Sequence, residues 1–198
     1  MPASSIVTPL PGTTLGIGYT VRREPPTARI RWRTPIDTAL QLIAVVALVS
    51  ANAGFVAAEF ALVAVDRTRV EERASQGSRR ARQTQRLLSR LSYHLSGAQL
   101  GITITSLLLG FLAEPAIASL LEPVLEGIFG EAPAAVSIGL ALLIATFTQM
   151  VFGELIPKSL ATSKPLEASF VLARPTAVYG ILARPVVVLL DGLAARIT

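Results

Sequence analysis

The stretch Thr38–Val65, TALQLIAVVALVSANAGFVAAEFALVAV, runs for 28 residues with a single charge, Glu59. About 20 apolar residues cover the hydrocarbon core of a bilayer. The segment therefore predicts a first membrane-spanning helix over about 36–65. Two more runs repeat the pattern: Leu95–Ala113, with 19 uncharged residues, and Ala132–Gly153, with 22. They predict a second span over 95–113 and a third over 132–153, and the fold class is an all-α membrane protein.

The rest of the composition agrees. Of 198 residues 52% are hydrophobic and 16% charged, with a mean hydropathy of +0.57; a soluble domain carries about 25% charged residues. The chain has no cysteine and one histidine, His94, which excludes disulfides, thiolate metal sites and multi-histidine centres. A net charge of +5 could point to nucleic acid. The basic residues flank apolar spans, however, so membrane topology explains them and no nucleic-acid partner is expected. Residues 1–35, rich in Pro, Thr and Gly, read as a disordered or loosely held tail without a cleavable signal.

Between the first two spans, residues 66–95 hold eight arginines. Helical spacing persists there and Gly77 supplies a break, predicting two short helices on the membrane surface. Residues 122–134, with Glu122, Glu126 and Glu131, read as a connector. Residues 166–198 are apolar but interrupted by Arg174-Pro175 and Arg184-Pro185. The expectation is short juxtamembrane helices with snorkelling arginines, a fourth span being the alternative. The positive-inside rule places the 66–95 loop and the C-terminus in the cytoplasm and the N-terminus outside. Arg22, Arg23, Arg29, Arg31 and Arg33 weigh against that placement, and the acidic 122–134 loop weighs for it.

A charge at mid-membrane costs about 2.5 kcal/mol or more, so ionisable groups within spans usually serve function. Glu59 and Glu154 are the two here, and each could instead snorkel to the surface. Glu154 sits in Gly153-Glu154-Leu155-Ile156-Pro157-Lys158. Pro157 has no N–H and clashes with the Gly153 carbonyl four residues earlier. A freed carbonyl beside a carboxylate suits a hard cation; a helix end marked by Pro and Lys is the plainer reading, and both can hold. In the second span, Ser96, Gln99 and Thr103 share one helix face. Gly97 and Gly101 are spaced for close helix packing, or to bring carbonyls near an ion. Asn52 and Glu59 share a face of the first span, with Ser50 nearby. Oxygen ligands from three helices, without sulfur or imidazole, suit a hard cation rather than copper, zinc or iron. No nucleophile–base pair or hydrolase spacing appears, so an enzyme is not expected.

Asn52-Ala53-Gly54-Phe55-Val56-Ala57-Ala58-Glu59-Phe60-Ala61-Leu62-Val63, Gln99-Leu100-Gly101-Ile102-Thr103 and Gly153-Glu154-Leu155-Ile156-Pro157-Lys158 together resemble the transmembrane domain of the CorC/cyclin M (CNNM) family, the hemolysin-like proteins. The resemblance covers about residues 36–190. It implies a dimeric Mg2+ transporter of the cell membrane, exporting Mg2+ with Na+ as a proposed counter-ion. It also implies three spans, a cytoplasmic helix pair and a juxtamembrane helix. Carried over, its ion ligands fall on Glu154, Gln99 and Thr103, with Asn52 and Gly101 completing the candidate set. Gly153, Pro157, Lys158, Glu59 and Ser96 are motif or structural positions. Where many members place serine before the first-span Glu, this chain has Ala57-Ala58, so Asn52, Ser50 or water would substitute. Members usually continue into paired CBS and CorC domains, which are expected to be absent after Thr198. The competing expectation is a non-transporting membrane anchor for such regulatory domains.

Overall fold

In the computed structural model, which describes residues 35–130 and 134–194, the secondary structure is entirely helical among the described residues. The expected N-terminal tail lies outside them. Helix α1 spans Pro35–Ala64, α2 Arg67–Ser75, α3 Arg79–Leu88 and α4 Leu91–Phe129. Helix α5 covers Ala134–Thr148, a π-helical stretch covers Gln149–Leu155, and α6 (Ile156–Ser163) and α7 (Pro165–Ala194) complete the chain.

The molecule is apolar on its outside. Phe111, Ile181 and Leu107 are 79%, 74% and 71% exposed. A water-soluble chain would bury them, whereas lipid solvates them at no cost.

Helices α2 and α3 form the expected pair. Asp66 caps α2 by accepting from the Thr68 amide at 2.9 Å, and Ser78 caps α3 by accepting from the Ala81 amide at 3.3 Å; such caps satisfy N-terminal amides that have no helical partner. Val70 and Ala74 of α2, and Ala81, Thr84, Leu87 and Leu88 of α3, turn inward. There Val70, Leu87 and Leu88 pack with Leu62 and Val65 at the end of α1 and Ala173 of α7. All eight arginines of the pair and its flanks, from Arg67 to Arg90, stay exposed.

Two expectations about continuity are corrected. First, the second span does not end at Ala113 and residues 122–129 are not a loop. Helix α4 runs through Pro115 and Pro123 for 39 residues, about 58 Å at 1.5 Å per residue, longer than the roughly 30 Å hydrocarbon core. Second, α7 is one 30-residue helix through Pro175 and Pro185, not the broken run of short helices expected. Each proline removes one backbone hydrogen bond, and tertiary packing makes up that loss. One face of α7, with Ser169, Ala173, Gly180, Ala183 and Val187, is buried, and it is tied down from outside. The Thr84 hydroxyl donates to the Ser169 carbonyl at 3.2 Å, and the Tyr93 hydroxyl donates to the Gly180 carbonyl at 2.6 Å. By length and composition, four stretches can therefore cross a membrane: Thr38–Ala64, Leu91–Ile128, Ala135–Ser163 and Pro165–Leu189. The three-span arrangement is not matched.

Helix α1 is the centre of the packing, touching α4, the π-helical stretch, α6 and α7. It approaches α4 tightly where Phe55 lies over Gly101, and a Cβ there would lie 2.8 Å from three ring carbons. That ring also meets Tyr179 of α7, centroid to centroid at 4.5 Å and tilted by 57°, which restricts its freedom to move. Gly101→Ala is expected to lower stability by about 1–3 kcal/mol through overpacking, and adding Phe55→Leu is expected to recover more than half of it. Thermal unfolding of the purified chain in detergent reads both; strictly additive losses would exclude the ring as the cause.

Candidate ion-binding site

The most polar point of the buried interior lies where α1, α4 and the π-helical stretch meet. Asn52 of α1 is 0% exposed. Its Nδ2 donates to the Gly153 carbonyl at 3.2 Å. Its Oδ1 accepts from the Thr105 hydroxyl at 2.7 Å and from the Ser106 hydroxyl at 3.4 Å. One amide thus joins three chain segments, and its donor side fixes which way its acceptor side faces.

The Gly153 carbonyl is available for a local reason. Pro157 has no N–H to give it. The backbone here has moved to wider turns, and the Ile156 amide donates to the Val151 carbonyl five residues back. π-Helical turns of this kind recur at functional sites. Gly153 is buried, and a Cβ there would stand 3.1 Å from Asn52 Nδ2. A side chain at this position would push the amide off its carbonyl.

Several uncharged oxygens meet in this cluster. Thr105 Oγ1 lies 2.7 Å from Asn52 Oδ1, 2.8 Å from the Gly101 carbonyl and 3.1 Å from the Ile102 carbonyl. A hydroxyl has one proton to give. Asn52 Oδ1 also accepts from Ser106, and the Gly101 and Ile102 carbonyls lie within α4, where the amides four residues on serve them. Oxygens of this kind, with a second lone pair to offer, are the donors a hard cation prefers. The set is neutral, made of amide, hydroxyl and backbone oxygens. No group of three or more His, Cys, Asp or Glu side chains poised for a metal occurs among the described residues.

Of the positions singled out in the sequence, Asn52, Gly101 and Gly153 come together here. The others do not join them. Gln99 and Thr103 are exposed on another face of α4, where the Thr103 hydroxyl donates to the Gln99 carbonyl at 2.9 Å. Glu154 is exposed beside Gly153. Glu59 and Ser96 are half-buried outside the cluster. The Ser50 hydroxyl turns back to the Val46 carbonyl of its own helix. Pro157 is buried, and Lys158 places its ammonium 4.5 Å from the Phe60 ring centroid, a cation–π contact. Thr105 and Ser106 were missed. Their signal was the spacing of Thr105 four residues after Gly101, which puts both on the face that meets α1.

Several bilayer-length apolar helices, with helix the only regular secondary structure among the described residues, make this a multi-pass membrane protein. Comparison with known proteins names its family. The cyclin M (CNNM) transmembrane N-terminal domain matches residues 42–198, and the chain belongs to that family. It is 42% identical over 160 residues to UPF0053 protein MT1890 of Mycobacterium tuberculosis, covering 80% of this chain and 35% of that protein. It is 38% identical over 161 residues to UPF0053 protein YhdT of Bacillus subtilis, with the same two coverages, 80% and 35%. The chain thus spans about a third of the length of these relatives.

Thr105→Val is expected to cost about 1–3 kcal/mol by removing the shorter of the two hydroxyl bonds to Asn52 Oδ1. Asn52→Leu is expected to cost at least as much, since it also strands the Gly153 carbonyl. The double variant should lose less than the sum, because both remove the same bond. Melting curves in detergent without divalent cations measure all three; full additivity would contradict the shared bond.

Proposed function

We propose that this domain carries Mg2+ across the cell membrane, with the Asn52 cluster as the place where the ion sheds part of its water. The observation that carries the proposal is the meeting of uncharged oxygens from α1 and α4 at one buried point around Thr105. Asn52 Oδ1, the Thr105 and Ser106 hydroxyls and the Gly101 carbonyl are hard donors. Mg2+ prefers such donors while keeping several waters. A neutral set also binds weakly enough to let the ion leave, which conduction requires. Glu154, exposed next to Gly153, supplies the negative charge that draws a hydrated cation toward the cluster. The expected direction is export, with Na+ as counter-ion, and the domain acts as a homodimer in the lipid bilayer.

The arginine-bearing α2–α3 pair faces the cytoplasm under this reading, with the N-terminus outside. Helix α7 then lies along the interface with the exposed Arg174 and Arg184 at headgroup level, and the C-terminus stays cytoplasmic. A second reading is favoured by the outward positions of Gln99, Thr103 and Glu154: a membrane anchor that transports nothing and serves regulatory domains.

Reconstitution in liposomes containing a Mg2+-sensitive dye separates the two. The unaltered chain is expected to move Mg2+, Asn52→Ala to fall to background and Glu154→Ala to fall well below the parent. Equal flux in parent and both variants would remove the ion site, and no flux in the parent would establish the anchor reading.

A further inference from the structure

A cavity of about 260 Å3 lies between α1, α4 and α7, away from the Asn52 cluster. Small residues make it. Ala51, Gly54 and Ala58 recur at intervals of three and four, so they share one face of α1, and Gly97 of α4 lines the same space. A Cβ built on Gly54 would have no atom within 4 Å. Protein interiors leave few voids larger than a water molecule. Pockets for whole drug-sized ligands run to roughly 300–1,000 Å3, so this one has room for a single chain of a larger molecule.

The lining is apolar except for His94, Thr176 and Tyr179. None of the three side chains has a hydrogen-bond partner among the described residues, and His94 Nδ1 is buried. Each can donate: the hydroxyls have one proton apiece and a neutral imidazole carries one N–H. Hydrocarbon gives such donors nothing to bind. A molecule that fills the cavity and supplies their acceptors is therefore long, apolar and oxygen-bearing at one end.

Depth and charge narrow its chemistry. At 1.5 Å per residue, Ala58 and Ala51 lie roughly 9 and 20 Å from the Ala64 end of α1. That is the acyl-chain region of one leaflet in a hydrocarbon core about 30 Å thick. Arg90 stands one turn before His94, whose amide donates to the Arg90 carbonyl at 3.2 Å, so the two side chains lie on one side of α4. The Arg90 side chain is exposed and makes no ion pair among the described residues. A guanidinium above a row of donors, with an apolar slot beneath, matches a phosphate, its ester carbonyls and an acyl chain in that order.

We propose that the cavity holds one acyl chain of an anionic phospholipid from the leaflet on the α2–α3 side, with its phosphate at Arg90 and its ester carbonyls accepting from His94 and Tyr179. The lipid fills the wall between α1, α4 and α7 where small residues hold the helices apart, and α7 rests on it. The site is independent of whether the domain moves an ion.

The purified chain in detergent is titrated with dioleoylphosphatidylglycerol or dioleoylphosphatidylcholine and observed by native mass spectrometry. One phosphatidylglycerol is expected to bind at least about tenfold more tightly than the next, and than phosphatidylcholine. Gly54→Leu, whose side chain enters the cavity, is expected to lose that first site while melting no lower than the parent in lipid-free detergent. Gly139→Leu, at an exposed glycine of α5 with equal room for a Cβ, is expected to keep it. Arg90→Gln is expected to bind the two lipids alike. Equal binding by the parent and Gly54→Leu, or several lipids held with similar affinity, would mean annular lipid only and overturn the site. An undiminished preference for phosphatidylglycerol in Arg90→Gln would overturn the placement of the phosphate. Photolabelling of the unaltered chain with a phosphatidylglycerol bearing a mid-chain diazirine needs no substitution. Label is expected on residues 51–58 of α1, and label confined to outward residues such as Phe111 would overturn the proposal.

Discussion

Inside a bilayer a polar side chain has no water to turn to, so every donor and acceptor on a lipid-embedded helix must find its partner within the protein. Asn52 meets that constraint by reaching two neighbours at once, the Gly153 carbonyl and the Thr105 hydroxyl. The surrounding features follow from it. Gly153 lacks a side chain because the amide is too near to allow one. Pro157 leaves that carbonyl without an α-helical donor, and the widened turns before it present it to α1. Gly101 lets Phe55 close over α4 so that Thr105, one turn on, is brought within reach. Without the amide, the Gly153 carbonyl would lose its partner on α1, and the Thr105 hydroxyl would turn back to the Gly101 and Ile102 carbonyls of its own helix.

The same knot explains why the interior is polar without being charged. Carboxylates drawn into this position would hold a divalent cation tightly and would need compensation when the ion left. Amide, hydroxyl and carbonyl oxygens avoid both costs. The charges stay outside: Glu154 next to the knot, and the arginines of α2 and α3 on the surface that their apolar faces leave free.

Much of this was legible in the sequence. The first span, the helix pair around Gly77 and the peculiarity of the Gly153 carbonyl each follow from local chemistry: apolar length, a turn glycine and the missing N–H of Pro157. What failed was continuity and azimuth. Prolines 115, 123, 175 and 185 read as breaks, yet helices α4 and α7 pass through them, because packing and outside hydrogen bonds to α7 outweigh one lost backbone bond per proline. Azimuth failed at Thr103. Each residue turns a helix by about 100°, so Thr103 and Thr105 face different neighbours although only two positions apart. The choice between them depends on where α1 lies against α4. That contact is set by Phe55 and Gly101 at long range, and no spacing within the second span encodes it.

The central claim is that the Asn52 cluster holds a cation. Anomalous diffraction from crystals grown with Mn2+, a stand-in for Mg2+ with the same preference for oxygen, tests it without any assay of transport. The account predicts a peak bound directly or through one water to Asn52 Oδ1 and Thr105 Oγ1. A Mn2+ peak confined to surface carboxylates such as Glu122 or Glu126, with none between α1, α4 and the π-helical stretch, would contradict it.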